Sequence, residues 1–252
     1  PVHVYGQPAK IDEIKNIAKK NKITVIEDCA EALGATYKNK KIGINSDCAT
    51  FSFFGNKIIT TGEGGAVVTN SKEIFEKTKL IRSHGRVSST NYFADPSNPS
   101  YVNLGFNWRM SSITAALGIA QISKLDKIIK LRQRNAQFLS SKLSKFSQVK
   151  VPKIPDNYEH IFQMYSIVLE NEQIRDELQK FLLTKKIFSK IYFNPVHNTP
   201  FYQSKNQTKQ LLPITDKISS RILTLPLYPN MTLEEKEYLV SSVSEFFESF
   251  NR

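Results

Sequence analysis

The sequence predicts an α/β fold in which a mainly parallel sheet is followed by a smaller α+β region. The first observation is a helical pattern over Asp12–Asn21, which stands between an extended start, Pro1–Tyr5, and an apolar run, Ile23–Ile26. A strand, a helix and a second strand in so short a span form a βαβ unit and imply parallel strands. The second observation is a change of pattern beyond Pro152, where the composition becomes that of an α+β region.

The remaining elements of the first half follow from turn and cap residues. Thr36–Ile42 suggests a hairpin, Cys48–Phe53 a strand, and Ala66–Thr69 a strand that pairs back across a glycine-rich turn. Ser71 is expected to cap a helix that ends near Ser83. A long loop, Arg86–Asn103, is rich in Ser, Asn and Pro, and loops of this length are typically functional or disordered.

A long helix begins at Ser111 or Ser112 and is expected to bend near Asp126. We place a domain boundary along it, with the C-terminal portion of a large domain over 1–120 and a small C-terminal domain over 121–252. In the small domain the patterns predict strands at Phe162–Leu169 and Ile191–Phe193. Helices are predicted at Gln173–Thr184, Ile218–Leu223 and Leu233–Phe250.

Composition narrows the function classes. The chain has 252 residues, 40% of them hydrophobic, and no apolar run that approaches the length needed to cross a bilayer, so we expect a globular protein without a membrane partner. The net charge of +12 favours anionic partners, but it comes mostly from scattered lysines, and we expect no nucleic-acid function. Cys29 and Cys48 lack metal-type spacing and indicate buried thiols in a reducing, cytoplasmic compartment, with a disulfide as the alternative.

The stretch Thr50–Gly65 carries the clearest chemistry. Lys57 is its one basic residue, between an aromatic run, Phe51–Phe54, and a glycine-rich turn, Thr60–Gly65. An amine in an apolar pocket is costly to keep charged, and the neutral form is a nucleophile for carbonyl compounds. The plainer interpretation is a strand and a hairpin with a surface lysine.

Asp28 stands at the end of the Ile23–Ile26 strand, where ligands bind in parallel α/β sheets. Its alternative role is the N-cap of the following turn. An acid paired with a nucleophilic lysine suits pyridoxal phosphate, because the acid keeps the pyridine nitrogen protonated while the ring takes up electrons.

Five segments together resemble one family, the sugar aminotransferases of the DegT/DnrJ/EryC1/StrS type, and the resemblance covers nearly the whole chain. The resemblance implies an aspartate aminotransferase-like fold, fold type I of the pyridoxal phosphate enzymes. The form Ser52–Lys57 looks most like the perosamine synthase branch. The segments are Pro1–Pro8, Val25–Ala30, Phe51–Lys57 with Thr60–Gly65, Gly105–Ser111 with Ala115–Gly118, and Leu225–Pro229.

The resemblance implies a role for each matched residue. Lys57 is expected to bond covalently to pyridoxal 5'-phosphate and to move the proton during catalysis. Asp28 is expected to bond the pyridine nitrogen and Ser52 to contact the phosphate. Asn107 reaches the cofactor phosphate in a partner subunit, which implies a homodimer with shared active sites. Glu31 stands where many members have Gln or His near the phenolic oxygen, and a carboxylate there repels a phenolate, so it is the weakest of these assignments.

The implied reaction transfers an amino group from glutamate to a nucleotide-linked keto-deoxysugar, with C4 as the ring position, for polysaccharide or glycoconjugate synthesis. Alternatives are a 3-amino-sugar aminotransferase, a non-catalytic or regulatory relative, and a sugar dehydratase of the same family. The dehydratase branch carries histidine in place of the lysine, and Lys57 argues against it.

Substrate contacts are expected from His84, from Tyr92 in the long loop, and from His197, although a lone histidine is more often structural. The phosphate cup and the group that stacks on the cofactor ring are not evident in these residues. In the family both come from residues upstream of the segment that matches Pro1. We therefore expect part of a large domain plus a complete small domain, which alone binds the cofactor poorly and is inactive.

Overall fold

The computed structural model describes residues 1–87, 100–205 and 212–250. The chain forms two compact units, Pro1–Lys127 with Asp156–Gln163, and Ile128–Pro155 with Met164–Arg252. The functional domain limits of 1–120 and 121–252 stay a prediction. In chain order the elements are α1 (Ile11–Lys20), β1 (Ile26–Asp28), β2 (Thr36–Tyr37), β3 (Lys40–Lys41), β4 (Cys48–Ser52), β5 (Gly65–Val68), α2 (Lys72–Arg82), α3 (Ser112–Ile122), α4 (Leu125–Leu143), β6 (Val149–Lys150), β7 (Tyr158–Glu159), β8 (Tyr165–Leu169), α5 (Glu172–Thr184), α6 (Pro200–Lys205), α7 (Pro213–Ser219), β9 (Ile222–Leu225) and α8 (Leu233–Phe250).

The sheet that carries the predicted site has the order β1-β4-β5. β1 and β4 are parallel, as the βαβ pattern predicts, and β5 returns antiparallel to β4. A parallel bridge from Val2 to Asp28 extends the pairing on the other side of β1. The carboxyl ends of β1 and β4 therefore meet at one edge of the sheet.

Helix α1 and the hairpin match their predictions. Asp12 and Glu13 lie in the first turn of α1 and Lys19 and Lys20 in its last, so charges of each sign lie at the helix end that they stabilise. β2 and β3 pair antiparallel, and the two residues between them, Lys38 and Asn39, have φ of 50° and 61°. Such a pair of left-handed residues is typical of a two-residue hairpin turn. β7 adds a third strand on the other side of β2.

Serine caps define α2 and α3. Ser71 Oγ accepts the amide hydrogen of Ile74 at 3.3 Å, and Ser111 Oγ accepts that of Thr114 at 3.1 Å. The predicted bend near Asp126 is a full interruption, because α3 ends at Ile122 and α4 begins at Leu125. Ser123 Oγ donates to the Ala120 carbonyl at 2.9 Å, and this local bond competes with continuation of the helix.

The C-terminal unit contains an antiparallel sheet of order β6-β8-β9. α5 contacts β8, β9 and α8. The core of this unit includes Leu139, Ile167, Leu178, Leu223 and Val243, which are all 0% exposed. Burial on this scale supplies the main favourable term for folding of the unit.

Several sequence predictions are wrong in position or type. Ile218–Leu223 is not a helix: α7 ends at Ser219, and β9 forms because all four of its side chains are buried and pair with β8. Ile191–Phe193 is not a strand, and only the neighbouring Lys190 forms a bridge, to Thr224. Pro1–Tyr5 contributes a single bridge, and Val4–Gly6 is a 3-10 turn. Within the described residues no helix has both the length and the apolar character needed to cross a membrane.

Candidate active site

Asp28 and Ser52 lie on the same face of the sheet. Asp28 pairs with Thr50 across the parallel β1–β4 ladder, and Ser52 is two residues beyond Thr50. Because side chains alternate along a strand, Thr50 and Ser52 point the same way, and so does the paired Asp28. The Asp28 carboxylate accepts the Ala30 amide hydrogen at 3.0 Å, so Asp28 bonds the following turn, and its role as a functional acid stays a prediction.

Lys57 lies in a tight turn that follows β4. Its amide donates to the Phe54 carbonyl at 3.0 Å, and Gln163 Nε2 donates to the Asn56 carbonyl at 2.6 Å. Gln163 is 5% exposed, so this bond fixes the turn from inside the unit. The Phe53 amide donates to the Gly64 carbonyl at 2.9 Å, which ties the turn to the start of β5. The amine of Lys57 is thereby held beyond the carboxyl end of a strand.

Gly64 closes that turn in a conformation that favours glycine. Its φ is +147°, and a Cβ at this position would lie 2.7 Å from Thr61 Oγ1 and 2.9 Å from Met110 Cε. Thr61 Oγ1 in turn donates to the Glu63 carbonyl at 2.7 Å. Both the backbone and the space therefore require glycine here.

Glu31 contacts Lys57. The distance from Glu31 Oε1 to Lys57 Nζ is 3.8 Å, and the side chains are 12% and 15% exposed. The other carboxylate oxygen, Oε2, accepts the Tyr5 amide hydrogen at 2.8 Å. Burial, and to a lesser extent the Glu31 charge, raise the pKa of the Tyr5 phenol to about 12. Glu31 thus contacts the Lys57 amine and the Tyr5 amide, and its predicted place near the cofactor's phenolic oxygen stays a prediction.

A hydrogen-bonded cluster packs beneath this edge. His3 Nδ1 accepts the Ala9 amide hydrogen at 2.9 Å, which leaves the proton on Nε2, where it is donated to Glu27 Oε2 at 2.9 Å. Glu27 also accepts from the Gly43 amide at 3.0 Å and from the Ser46 hydroxyl. Burial works against the Glu27 charge, but these donors together lower its pKa.

The ligand-type atoms of His3, Glu27 and Cys29 all lie within 4.8 Å of one another. Both nitrogens of His3 are already hydrogen-bonded, and burial raises the pKa of the Cys29 thiol, which disfavours the thiolate that a metal requires. The arrangement is that of a hydrogen-bonded core cluster. Cys29 and Cys48 are free thiols, and both are buried, as the sequence predicted.

Asn107 and His84 lie side by side at the end of α2. Asn107 forms an antiparallel bridge with Ser83, and the His84 amide donates to the Phe106 carbonyl at 2.9 Å. Both side chains are exposed. Among the hydrogen bonds and ion pairs of the described residues, none joins either side chain to Lys57; the predicted role of Asn107 is toward a partner subunit, and both assignments stay predictions.

The other two predicted substrate contacts, His197 and Tyr92, and one further histidine, His160, each have a different location. His197 belongs to the C-terminal unit, where its Nε2 lies 2.8 Å from Asp216 Oδ1. Tyr92 lies outside the described residues. His160 is a core residue whose Nδ1 accepts the Phe162 amide hydrogen at 2.8 Å, and burial lowers its pKa to about 4.

Pyridoxal phosphate requires an acid for its ring nitrogen, an amine and phosphate donors, and this edge supplies the first two and a hydroxyl. Asp28 and Ser52 share a sheet face, and Lys57 lies in the turn that continues from Ser52. The chemistry of this donor set fits the cofactor. Sequence reasoning missed Tyr5 and Gln163, because each contributes through a contact distant in sequence; the positive φ of Tyr5, +60°, has no signal in its residue type.

Comparison with solved structures shows that the chain has the aspartate aminotransferase-like fold of sugar aminotransferases. It superposes on Helicobacter pylori PseC, an aminotransferase involved in the biosynthesis of pseudoaminic acid, with a TM-score of 0.91 and 27% identity, over 98% of this chain and 66% of that one. The sequence profile of the DegT/DnrJ/EryC1/StrS aminotransferase family matches residues 1–244. The chain belongs to this family, and the predicted fold class is confirmed.

Two similar relatives bear on function. GDP-perosamine synthase of Escherichia coli O157:H7 is 37% identical over 246 residues, which is 98% of this chain and 64% of the relative. A pleiotropic regulatory protein of Geobacillus stearothermophilus is 34% identical over 256 residues, 99% of this chain and 65% of the relative. The chain therefore spans slightly less than two thirds of the length of these relatives.

Proposed function

We propose that this chain carries the catalytic lysine of a pyridoxal phosphate-dependent sugar aminotransferase. The reaction would move an amino group from glutamate to a nucleotide-linked keto-deoxysugar, with C4 as the ring position, as in a perosamine synthase. The observation that supports the proposal is that Asp28 and Ser52 share one sheet face at the ends of β1 and β4, and that Lys57 lies in the turn that follows β4. The similarity to GDP-perosamine synthases supports the substrate class.

Each residue of the site has a role in this proposal. When bound, the cofactor supplies an electron sink for the carbon that loses or gains the amino group. Lys57 is the residue that bonds the cofactor and moves a proton at Nζ. Asp28 holds a proton at the ring nitrogen, and Ser52 donates to the phosphate. Glu31, whose Oε1 lies 3.8 Å from Lys57 Nζ, is a candidate contact for the cofactor.

The proposal includes a homodimer in which Asn107 of one subunit reaches the site of the other. Support comes from exposed apolar side chains beside it: Leu104, Ile113 and Ile119 are 79%, 86% and 72% exposed. Large apolar surfaces of this kind typically mark interfaces. The enzyme would act in the cytoplasm on precursors of polysaccharides or glycoconjugates, with His84, His197 and Tyr92 as candidate substrate contacts.

The test is a reduction experiment with a matched control. The intact protein, with the upstream residues that the family's fold includes, is incubated with pyridoxal phosphate and borohydride, and the modified peptide is identified by mass spectrometry. We expect label at Lys57 in the wild type and in Lys77→Ala, which removes a surface lysine, and no label in Lys57→Ala. Multiple turnovers by Lys57→Ala with glutamate and a keto-sugar nucleotide would disprove the catalytic role.

A second candidate function is a non-catalytic or regulatory relative, favoured by the similarity to a pleiotropic regulatory protein. The two candidates differ in one measurable outcome, which is turnover. A regulatory relative shows no turnover on a panel of keto-sugar nucleotides, whether or not the adduct at Lys57 forms. The same panel separates a C4 aminotransferase from a 3-amino-sugar aminotransferase, because each accepts only its own keto isomer.

A further inference from the structure

We propose that Gln163 is a positioning residue, which sets the direction of the Lys57 side chain by holding the peptide group that leads into it. The inference rests on the proposed function of Lys57 as the cofactor lysine. It deepens that function, because it assigns a role at the site to a residue that lies 107 positions beyond Asn56 in the chain.

The peptide group between Asn56 and Lys57 is hydrogen-bonded at both of its polar ends. Gln163 Nε2 donates to the Asn56 carbonyl at 2.6 Å, and the Lys57 amide donates to the Phe54 carbonyl at 3.0 Å. This carbonyl and this amide belong to one planar group and point in opposite directions. Two bonds on opposite sides of the plane therefore fix its orientation, and with it the bond from the Lys57 nitrogen to its Cα.

The chain on the two sides of Lys57 is held in different ways. After it, Ile58 and Ile59 are buried, at 8% and 1% exposure, so packing anchors this side. Before it, Phe54 is 46% exposed, and a Cβ added at Gly55 would meet nothing within 4 Å. Packing therefore does little to hold the chain before Lys57, and the orientation of that side depends on its hydrogen bonds.

Gln163 lies on a segment that is itself fixed. The Ile161 amide donates to the Gly6 carbonyl at 3.1 Å, and a Cβ added at Gly6 would lie 2.9 Å from the Gln163 nitrogen. The φ of Gly6 is +99°, so both the backbone and the close approach favour glycine there. A buried side chain on a segment held in this way loses little freedom when it binds the Asn56 carbonyl, and it can act as a rigid support.

The consequence for the proposed reaction is geometric. The Lys57 amine stands at the end of a long side chain, so a rotation of the preceding peptide moves Nζ relative to Asp28 and Ser52, which share a sheet face. A displacement of about 1 Å between reacting groups can lower a rate by about 10²-fold. Gln163 therefore acts on the reaction through the backbone of Lys57.

The first measurement is amide hydrogen exchange in the intact, cofactor-free protein, comparing wild type with Gln163→Met. Methionine keeps the length of the side chain but cannot donate to the Asn56 carbonyl. We expect the Lys57 amide to exchange about tenfold faster in Gln163→Met, because the turn opens locally more often. The control is the Cys29 amide, which donates to the Thr50 carbonyl at 2.9 Å and should exchange at an unchanged rate.

Two results of this measurement would overturn the inference. Unchanged exchange at Lys57 would show that the turn keeps its orientation without Gln163. Equal acceleration at Lys57 and Cys29 would show that Gln163 supports the whole unit and not this peptide. Gln163→Asn, which keeps the amide but is one methylene shorter, is the second variant and should accelerate the same amide as Gln163→Met.

The second measurement separates positioning of the amine from a general effect on the site. Single turnover with glutamate should be about 10²-fold slower in Gln163→Met than in wild type. In Lys57→Ala with added methylamine, the same Gln163→Met change should alter the amine-supported rate by less than about twofold, because a free amine is not attached to the held peptide. Similar losses in both backgrounds would overturn the inference.

The outcome for Gln163 is distinguishable from the outcome for the proposed function. Failure to trap pyridoxal phosphate at Lys57 in the wild type would count against the function. The exchange rate of the Lys57 amide needs no cofactor, so it would still decide whether Gln163 holds the peptide before Lys57.

Discussion

The imidazole of His3 donates a hydrogen bond to the carboxylate of Glu27 at 2.9 Å in the interior of the N-terminal unit, where the side chains are 0% and 1% exposed. Glu27 immediately precedes Asp28, and His3 lies on the segment that pairs with Asp28 through Val2. The buried pair therefore fixes the strand end that presents the candidate acid.

Replacing Glu27 with Gln should destabilise the N-terminal unit by about 1–3 kcal/mol, because a neutral amide oxygen would replace the carboxylate that accepts charge-assisted bonds from His3 Nε2 and the Gly43 amide in the interior. Urea unfolding followed by tryptophan fluorescence and circular dichroism measures the change. Glu73→Gln, at the exposed pair with Lys77, is the control and should leave the midpoint in place. A wild-type midpoint for Glu27→Gln would show that the buried bond contributes little.

His160 should make stability sensitive to mild acid. Burial lowers its pKa from 6.5 to about 4, so between these values the unfolded chain binds a proton that the folded chain does not. Stability contributed by neutral His160 is complete above about pH 6.5 and falls as pH drops, by about 3 kcal/mol on reaching about pH 4. Unfolding free energies measured at pH 7 and pH 5 test this.

The control for that pH dependence is His160→Asn, whose amide oxygen can accept the Phe162 amide hydrogen without titrating. The difference between pH 7 and pH 5 should shrink in this variant. An unchanged difference would assign the acid sensitivity to other groups.

Gly64→Ala should cost about 1–3 kcal/mol, because the backbone has φ +147° and the new methyl would lie 2.7 Å from Thr61 Oγ1. Gly55→Ala is the matched control, since a Cβ there meets nothing within 4 Å. Thermal denaturation of the two variants should separate them clearly. Equal melting temperatures would mean that the turn relaxes around the added methyl.

Asp28→Asn should retain the borohydride-trapped adduct at Lys57 but slow the proposed reaction by about 10²–10⁴-fold, because an amide cannot hold a proton on the ring nitrogen. Single-turnover conversion with glutamate measures the effect. Asp126→Asn, an exposed carboxylate, should behave as wild type. Near-normal turnover by Asp28→Asn would restrict Asp28 to its capping bond with Ala30.

The sequence predicted the elements whose signals are local. Ser71 and Ser111 marked helix starts, and the strand predicted over Cys48–Phe53 corresponds to β4. β9 was misassigned because Ile222–Leu225 is short and mostly apolar, and such a run fits a buried helix as well as a buried strand. Its type is set by pairing with β8, more than 50 residues away in the chain.

The candidate site shows the same division. Lys57, Asp28 and Ser52 were predicted from motif and strand position; Asp28 and Ser52 end neighbouring strands, and Lys57 lies in the turn after β4. Glu31 was the weakest assignment, since a carboxylate repels a phenolate. Its contacts with the Tyr5 amide and the Lys57 amine were not predicted, because these groups come from segments on either side of it in sequence. Contacts set by tertiary folding leave no trace in the residue pattern around Glu31.

The short strand β7 has a consequence for synthesis of the protein. Tyr158 and Glu159 complete the β3-β2-β7 sheet, and Gln163 braces the lysine turn, yet 28 residues of the other unit, Ile128–Pro155, separate this stretch from Lys127. On a translating ribosome, the N-terminal unit must therefore wait for later residues before its last strand can dock. A nascent chain arrested before Asp156 should remain open to protease at the β2–β3 hairpin, and one extended well past Gln163 should resist.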